Sequence, residues 1–191
     1  PVSEVENDRW LAALPGFAAR LRGAHVRVVN MSWIASVDGI SDALLRTGLE
    51  DDPARAGERA RAMYGAIRAG LSQVMRDCPD ILFVAAAGNS NQSDATLGAV
   101  PQTLDAPNMI VVGAVGTSGT PTSFTTFGER VSLYAQGEAV RGRWPGGTVG
   151  HGSGTSYAAP AVSRAAAAML AANPALSPAQ LIEGLRASST P

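Results

Sequence analysis

The sequence predicts an α/β fold with a mostly parallel sheet and helices on both faces, in three layers as in Rossmann-like domains. Short β-branched or apolar segments, such as 26–31 and 81–86, alternate along the chain with helical stretches. Segment 81–86 is apolar throughout, which is typical of a parallel strand buried on both faces. The 191 residues, 46% of them hydrophobic, suffice for one core, so we expect a single domain over 1–191.

Periodicity and end signals predict the individual elements. Residues 8–22 predict a helix that Pro15 could kink or split, and 42–77 predict a long polar helical stretch. A helix is expected over 155–172, before Asn173, and a last one begins with Pro178 and ends near 187. Strands are expected at 26–31, 81–86, 109–115 and 131–134.

Composition excludes several classes of partner. The formal net charge of −1 gives no reason to expect a nucleic acid or a membrane surface as partner. No apolar run approaches the ~20 residues that span a bilayer. The single cysteine, Cys78, excludes an internal disulfide and is expected to be structural. No acidic cluster makes a calcium site visible, and Asp94 and Asp105 are expected to be solvated loop residues.

The segment 151–160, His-Gly-Ser-Gly-Thr-Ser-Tyr-Ala-Ala-Pro, has the pattern of a nucleophile loop. Its glycines allow tight turns near a substrate, and Ser156 stands where a helix begins. The unsatisfied N–H groups and positive dipole end of that helix favour negative charge beside the serine. The alternative is a glycine-rich turn in which Thr155 or Ser156 is only the N-cap.

A second polar feature is the end of the strand 81–86, where the chain continues as Ala87-Gly88-Asn89. An Asn amide at the carboxyl end of a strand is suited to donate a hydrogen bond to a developing oxyanion. The alternative for Asn89 is a left-handed turn conformation.

Five segments, in this order, resemble those of the subtilisin-like serine proteases. The family has a Val-Asn-Met-Ser strand, an Ala-Ala-Gly-Asn oxyanion loop, a Val-Gly-Ala strand, a Ser-Phe-Ser-x-x-Gly turn and a Gly-Thr-Ser-x-Ala-x-Pro nucleophile helix. The counterparts here are residues 29–32, 86–89, 112–114, 123–128 and 154–160. The resemblance covers roughly residues 8–188. Each motif alone is weak, but five in register are specific.

The resemblance implies a role for particular residues. Ser156 would be the nucleophile that forms an acyl-enzyme, and Asn89 with the N–H of Ser156 would form the oxyanion hole. Ser32, Trp33 and Ile34 would pair with the substrate backbone. Ala86, Ala87 and Gly88 would form a wall of the pocket. The remaining substrate-binding positions are Gly154 and Thr155.

The resemblance also implies a setting for the protein. The substrate would be a polypeptide, and the chemistry would need no cofactor, although calcium often stabilises loops in the family. A secreted or periplasmic location is favoured on resemblance alone.

The chain departs from the family pattern in the catalytic triad. The family places an Asp and a His well upstream of the Val-Asn-Met-Ser strand, and neither motif is present here. Of the two histidines, His25 is expected to be exposed or to cap a helix, and His151 lies on the nucleophile loop itself. We therefore expect the N-terminal part of the fold to lie outside this chain, which would be half of a catalytic domain, half of a split enzyme or a truncated relative.

Other departures concern the cleft. Trp33 and Ile34 replace a Leu-Gly pair, so Ile34 could narrow the cleft and Trp33 could be a substrate contact or only a rim aromatic. Residues 35–58 look like an insertion that forms a flap or a partner-binding surface. Tyr157 is expected to crowd the oxyanion site. The resemblance leaves cis and trans open for the Val100–Pro101 bond.

The sequence therefore predicts a serine endopeptidase fragment that is inactive alone. One alternative is a catalytically silent domain that binds a peptide or partner. A weaker alternative is a peptide ligase or macrocyclase on the same scaffold.

Overall fold

The computed structural model describes the backbone of residues 4–188 and the side chains of residues 13, 14, 16–94 and 96–188. Helices and strands alternate in the first half of the fold, apart from the consecutive α2 and α3, and four strands then follow one another before the last two helices. In chain order they are α1 (Glu4–Gly23), β1 (Val28–Met31), α2 (Val37–Arg46), α3 (Pro53–Asp77), β2 (Leu82–Ala86), α4 (Asp94–Leu97), β3 (Met109–Val115), β4 (Val131–Gln136), β5 (Val140–Arg143), β6 (Val149–Gly152), α5 (Thr155–Ala172) and α6 (Pro178–Ala187).

The four strands β1 to β4 form one parallel sheet in that order. Val28 pairs with Leu82 at the start of β1, and Val84 pairs with Ile110 between β2 and β3. Strands β5 and β6 form a separate antiparallel ribbon. The parallel sheet places the carboxyl ends of its strands at one edge of the domain, where sites form in open α/β sheets.

Helices cover both faces of this sheet, because successive side chains of a strand point to opposite faces. Phe83 and Ala85 of β2 pack in one core with residues of α1 and α3. Leu82, Val84 and Ala86 pack in a second core with residues of α5 and α6. The predicted three-layer α/β fold is thus confirmed for the described residues.

Proline and capping residues mark the starts of two helices, of which the start of α6 at Pro178 was predicted. Helix α1 runs without a break through position 15, so Pro15 does not split it. Asp52 caps α3, which has Pro53 in its first turn, and α6 begins with a capping box between Ser177 and Gln180.

The structure corrects the sequence analysis of the fold at three places. The predicted helical stretch 42–77 is two helices, α2 and α3, separated by the non-helical residues 47–52. Residues 149–152 form β6, so His151 lies on a strand paired with Arg141 and not on a loop. Asp94 is buried, and its Oδ2 accepts a hydrogen bond from the Arg130 N–H at 2.8 Å, so it stabilises a turn and is not a solvated acid. Cys78 is buried and structural, as predicted.

Residues 35–58, the expected insertion, contain α2, the connection after it and the start of α3. Helix α2 packs on α3 through buried Leu44, Ala56 and Ala60. This segment is therefore a packed layer and not a loose flap, and its status as an insertion stays a prediction.

Candidate active site

Three chain segments meet where the parallel strands end. Ser32 follows β1, the segment 87–89 follows β2, and Ser156 stands in the first turn of α5. The Ser32 hydroxyl donates to the Ser156 carbonyl at 3.1 Å, which joins the first and third segments. The Gly154 N–H donates to the Gly137 carbonyl at 2.7 Å and fixes the start of α5 against the end of β4.

Ser156 stands at a helix start whose cap is a glycine. Gly154 is the N-cap residue, with φ 149° and no side-chain cap bond, so the interpretation of Thr155 or Ser156 as N-cap is wrong. Within residues 4–188, the Ser156 hydroxyl and its backbone N–H have no hydrogen-bond partner. Both groups are available for a ligand, and the dipole of α5 favours negative charge there.

Asn89 is oriented by Thr155. Its Oδ1 accepts from the Thr155 N–H at 2.8 Å and from the Thr155 hydroxyl at 3.0 Å. Since a backbone N–H can only donate, the atom that it meets is the amide oxygen. The Thr155 Oγ1 also accepts from the Gly88 N–H at 3.1 Å. The Asn89 amide NH₂ consequently points away from Thr155 and has no acceptor among the described residues.

The nucleophile and the amide donor flank one small space in front of Gly154. A Cβ at position 154 would lie 3.0 Å from Ser156 Oγ and 3.1 Å from Asn89 Nδ2. The hydroxyl and the amide donor are therefore at most about 6 Å apart across this point, near enough to act on the carbon and the oxygen of one carbonyl group in the cleft. Glycine at 154 leaves both groups uncrowded.

A cleft of about 330 Å³ opens beside this point. Trp33 and Ile34 lie at its rim, 36% and 44% exposed. Ser90 also lines the cleft and was missed by the sequence analysis, although it directly follows Asn89. The lining residues are Ser32, Trp33, Ile34, Ala86, Gly88, Asn89, Ser90, Thr155 and Ser156.

Two expected site residues lie away from the cleft, and Gly154 lies beneath it. Ala87 is fully buried and packs in the core with Phe83, so the expected wall of residues 86–88 is formed by Ala86 and Gly88. Gly154 is buried behind the cleft. The ring of Tyr157 packs on the backbone of Gly152 in β6 and does not line the cleft, which contradicts the expected crowding of the oxyanion site.

The residue that follows Trp33 and Ile34, Ala35, is hydrogen-bonded to Val100. The Val100–Pro101 peptide bond is cis. The N–H and the carbonyl of Ala35 pair with the carbonyl and the N–H of Val100, both at 2.9 Å. This bridge positions the chain that leaves the cleft toward α2.

Neither histidine reaches the cleft. His25 is exposed at the end of α1, with φ 52°, and His151 is exposed on β6. Among the residues that line the cleft, none is a histidine or a carboxylate. No group of three or more His, Cys, Asp or Glu side chains in the described part of the chain is placed to hold a metal ion.

An α/β sheet that presents a serine at a helix N-terminus beside an amide donor has two of the parts that acyl transfer through a serine needs, the nucleophile and an oxyanion donor. The chain belongs to the subtilase family, whose model matches residues 8–190.

Individual relatives agree with this membership. Subtilisin NAT of Bacillus subtilis subsp. natto is 37% identical over 110 residues, which are 58% of this chain and 29% of that protein. The subtilisin-like serine protease Pen ch 13 of Penicillium rubens is 30% identical over 160 residues, 81% of this chain and 37% of that protein. A crystal structure of a cold-adapted subtilisin-like serine proteinase matches with a TM-score of 0.62 and 26% identity, covering 84% of this chain and 47% of that one.

All three relatives are named as subtilisins or subtilisin-like serine proteases. The chain spans less than half of the length of each of these three relatives. Within residues 4–188, no helix has both the length and the apolarity to cross a bilayer.

Proposed function

We propose that residues 1–191 provide the nucleophile and oxyanion half of a subtilisin-like serine endopeptidase. Ser156 would attack a peptide carbonyl, whose oxygen would receive hydrogen bonds from the Asn89 amide and the Ser156 N–H. The observation that carries this proposal is that Ser156 Oγ and Asn89 Nδ2 lie on the same side of Gly154, 3.0 Å and 3.1 Å from where a Cβ of residue 154 would be.

The general base comes from outside these residues. A serine hydroxyl is a weak nucleophile until a base accepts its proton, and among the described residues no histidine or carboxylate lines the cleft. A base supplied by a longer protein or a second chain is consistent with the partial coverage of the relatives. The 191-residue chain alone is therefore expected to hydrolyse no peptides.

The place where the remaining part would join is the outer edge of β1. No described strand pairs with that edge, and an apolar cavity of about 290 Å³ lies beside it. An added strand would satisfy the free backbone groups and cover the cavity. A strand added parallel to β1 would end at the same edge of the sheet as Ser32, where a base is needed.

Fluorophosphonate labelling tests the proposal directly. The probe forms an Oγ–P bond with an activated serine and releases fluoride. We expect labelling of the full-length protein that disappears in Ser156→Ala and persists in Ser132→Ala, which removes a half-buried serine on β4. The 191-residue chain alone should not be labelled.

The other outcomes separate the alternatives. No labelling of the folded full-length protein, after removal of any propeptide, would contradict the proposal and favour a silent peptide-binding domain. Labelling together with products joined to an added amine, and little hydrolysis, would favour a ligase on this scaffold. Secretion or export of the full-length protein is part of the proposal and is tested by cell fractionation.

A further inference from the structure

The antiparallel ribbon of β5 and β6 has one exposed face whose polar side chains are all basic. Arg141 lies directly opposite His151, and Arg143 lies opposite Val149. These four side chains are exposed, whereas the alternate residues of both strands are half-buried. Because alternate residues of a strand share a face, the four exposed side chains lie together on one side of the ribbon. We name these four residues the ribbon face.

The basic groups of the ribbon face have no acceptor. Among the described residues, Arg141, Arg143 and His151 make no hydrogen bond or ion pair through their side chains. The nearest carboxylate along the chain, that of Glu138, lies beside Gly116. A guanidinium group has five N–H donors in a fork that matches a carboxylate. A carboxylate bound on this face would supply the acceptors that the chain itself does not provide.

The ribbon is fixed next to the candidate active site. The Ala139 N–H donates to Ser153 Oγ at 3.0 Å, which joins the start of the ribbon to the segment that leads into α5. Five residues separate His151 from Ser156, so their Cα atoms lie at most about 18 Å apart. An extended polypeptide covers that distance with about five residues. A polypeptide whose carbonyl group reaches Ser156 is therefore long enough to contact the ribbon face as well.

The outer edge of β5 can accept a further strand. No described strand pairs with that edge, and a polypeptide can add there through its backbone. Alternate side chains of an extended chain are about 7 Å apart, which is also the spacing of Arg141 and Arg143 along β5. Side chains of neighbouring strands on the same face are direct neighbours. Two acidic side chains separated by one residue would consequently each meet one arginine.

We infer that the ribbon face binds an acidic, extended segment of the polypeptide substrate, away from the bond that is cleaved. This inference rests on the proposed endopeptidase function. The preferred segment carries Asp or Glu at two positions separated by one residue, the nearer of them within about five residues of the scissile bond. A nucleic acid fits less well, because the face offers only two arginines and the whole chain has a formal net charge of −1.

The test uses the full-length protein and peptides that share one cleavage segment. Each peptide carries Glu-Gly-Glu or Gln-Gly-Gln at one of several distances from that segment, on either side of it. At one distance, kcat/KM at low salt should be about threefold to tenfold higher for the Glu peptide, the range expected for two exposed ion pairs. The gain should appear in KM and should disappear at about 1 M salt, where exposed charges are screened.

Charge variants locate the effect on the ribbon face. Arg141→Gln combined with Arg143→Gln should bring the Glu-to-Gln ratio of kcat/KM close to one. Arg61→Gln combined with Arg164→Gln removes the same charge from exposed positions on α3 and α5 and should leave the ratio unchanged. Arg141→Glu combined with Arg143→Glu should reverse the preference, so that a Lys-Gly-Lys peptide is hydrolysed faster than the Glu peptide. Damage to the fold cannot produce such a reversal.

The remaining outcomes separate this inference from the proposed function. A ratio near one at every distance while the Gln peptides are hydrolysed, or an equal fall of the ratio in both Gln double variants, would overturn the ribbon face as a peptide site and leave the proposed function intact. Stronger inhibition of Glu-peptide hydrolysis by a single-stranded DNA oligonucleotide than by an uncleavable acidic peptide of equal charge would overturn it in favour of a nucleic acid. No hydrolysis of any peptide by the folded protein would overturn both.

Discussion

At the scale of single residues, Asn89 combines two tasks in one amide. Its oxygen accepts two hydrogen bonds from Thr155 and so fixes the start of α5, while its NH₂ is directed toward the space beside Ser156. The two tasks can be separated, because a carboxylate keeps the accepting oxygen and removes the donor.

Asn89→Asp should therefore keep the fold and lose catalysis. The carboxylate still accepts from Thr155 and is favoured by the dipole of α5, but its second oxygen repels the developing oxyanion. We expect a loss in kcat of at least about 10²–10³-fold, which is the loss measured on removal of the oxyanion asparagine in subtilisin itself. Steady-state kinetics with thermal unfolding of the full-length protein check this, and Asn91→Asp, an exposed neighbour, is the control. Equal losses in both variants would contradict the assignment.

Gly154 is a residue where space and backbone conformation act together. At φ 149° a residue with a side chain is strained, by about 1–3 kcal/mol, and the added Cβ would occupy the space between Ser156 Oγ and Asn89 Nδ2. Gly154→Ala should thus lower the melting temperature and abolish fluorophosphonate labelling of the full-length protein. Gly142→Ala on β5, where a Cβ would meet no atom within 4 Å, should do neither. Wild-type labelling in Gly154→Ala would refute the role of this space.

At the scale of elements, the sequence predicted the long and regular segments well. Helices α5 and α6 and strand β3 have the predicted bounds, because capping signals and continuous apolar runs mark their ends. The ribbon of β5 and β6 was not predicted, since its four-residue strands are rich in glycine and arginine and show no hydrophobic alternation. Such strands depend on side chains from outside the strands. Here the Tyr157 ring packs on Gly152 and the Trp144 ring packs on Gly150.

The junction of α3 with β2 depends on one buried amide that sequence analysis did not single out. Asn108 Nδ2 lies within hydrogen-bond distance of three carbonyl oxygens, at 3.1 Å from Met75, 2.9 Å from Cys78 and 3.1 Å from Ile81. The amide thereby satisfies the end of α3 and the turn into β2.

Asn108→Leu should destabilise the full-length protein by about 1–3 kcal/mol, because it leaves buried carbonyl groups without a donor. Urea unfolding gives the free energy of unfolding. Asn173→Leu is the control, since Asn173 is exposed and its Oδ1 accepts only one short-range bond, from the Ala175 N–H. Comparable losses in the two variants would show that the network around Asn108 contributes little.

At the scale of the molecule, most of the residues that line the cleft were predictable, but the packing around the cleft was not. Motifs placed Ser32, Asn89 and Ser156 at one sheet edge, because parallel strands end together. Motifs could not show that Ala87 turns into the core, that Tyr157 packs on the ribbon or that α2 and α3 enclose a second cavity. These features arise from packing between distant segments, which no local pattern encodes.

The free outer edge of β1 has a consequence for the isolated 191-residue chain. Unpaired strand groups beside an apolar cavity favour pairing with a second copy, so this chain should self-associate while the full-length protein should not. Light scattering after size exclusion, over a range of concentrations, measures this. Val29→Lys places a charge on β1 at the cavity and should restore the monomer mass. Val149→Lys, at an exposed position on β6, should leave the association unchanged. Equal suppression of association by the two lysine variants would show that the added charge acts through general solubility and not at the β1 edge.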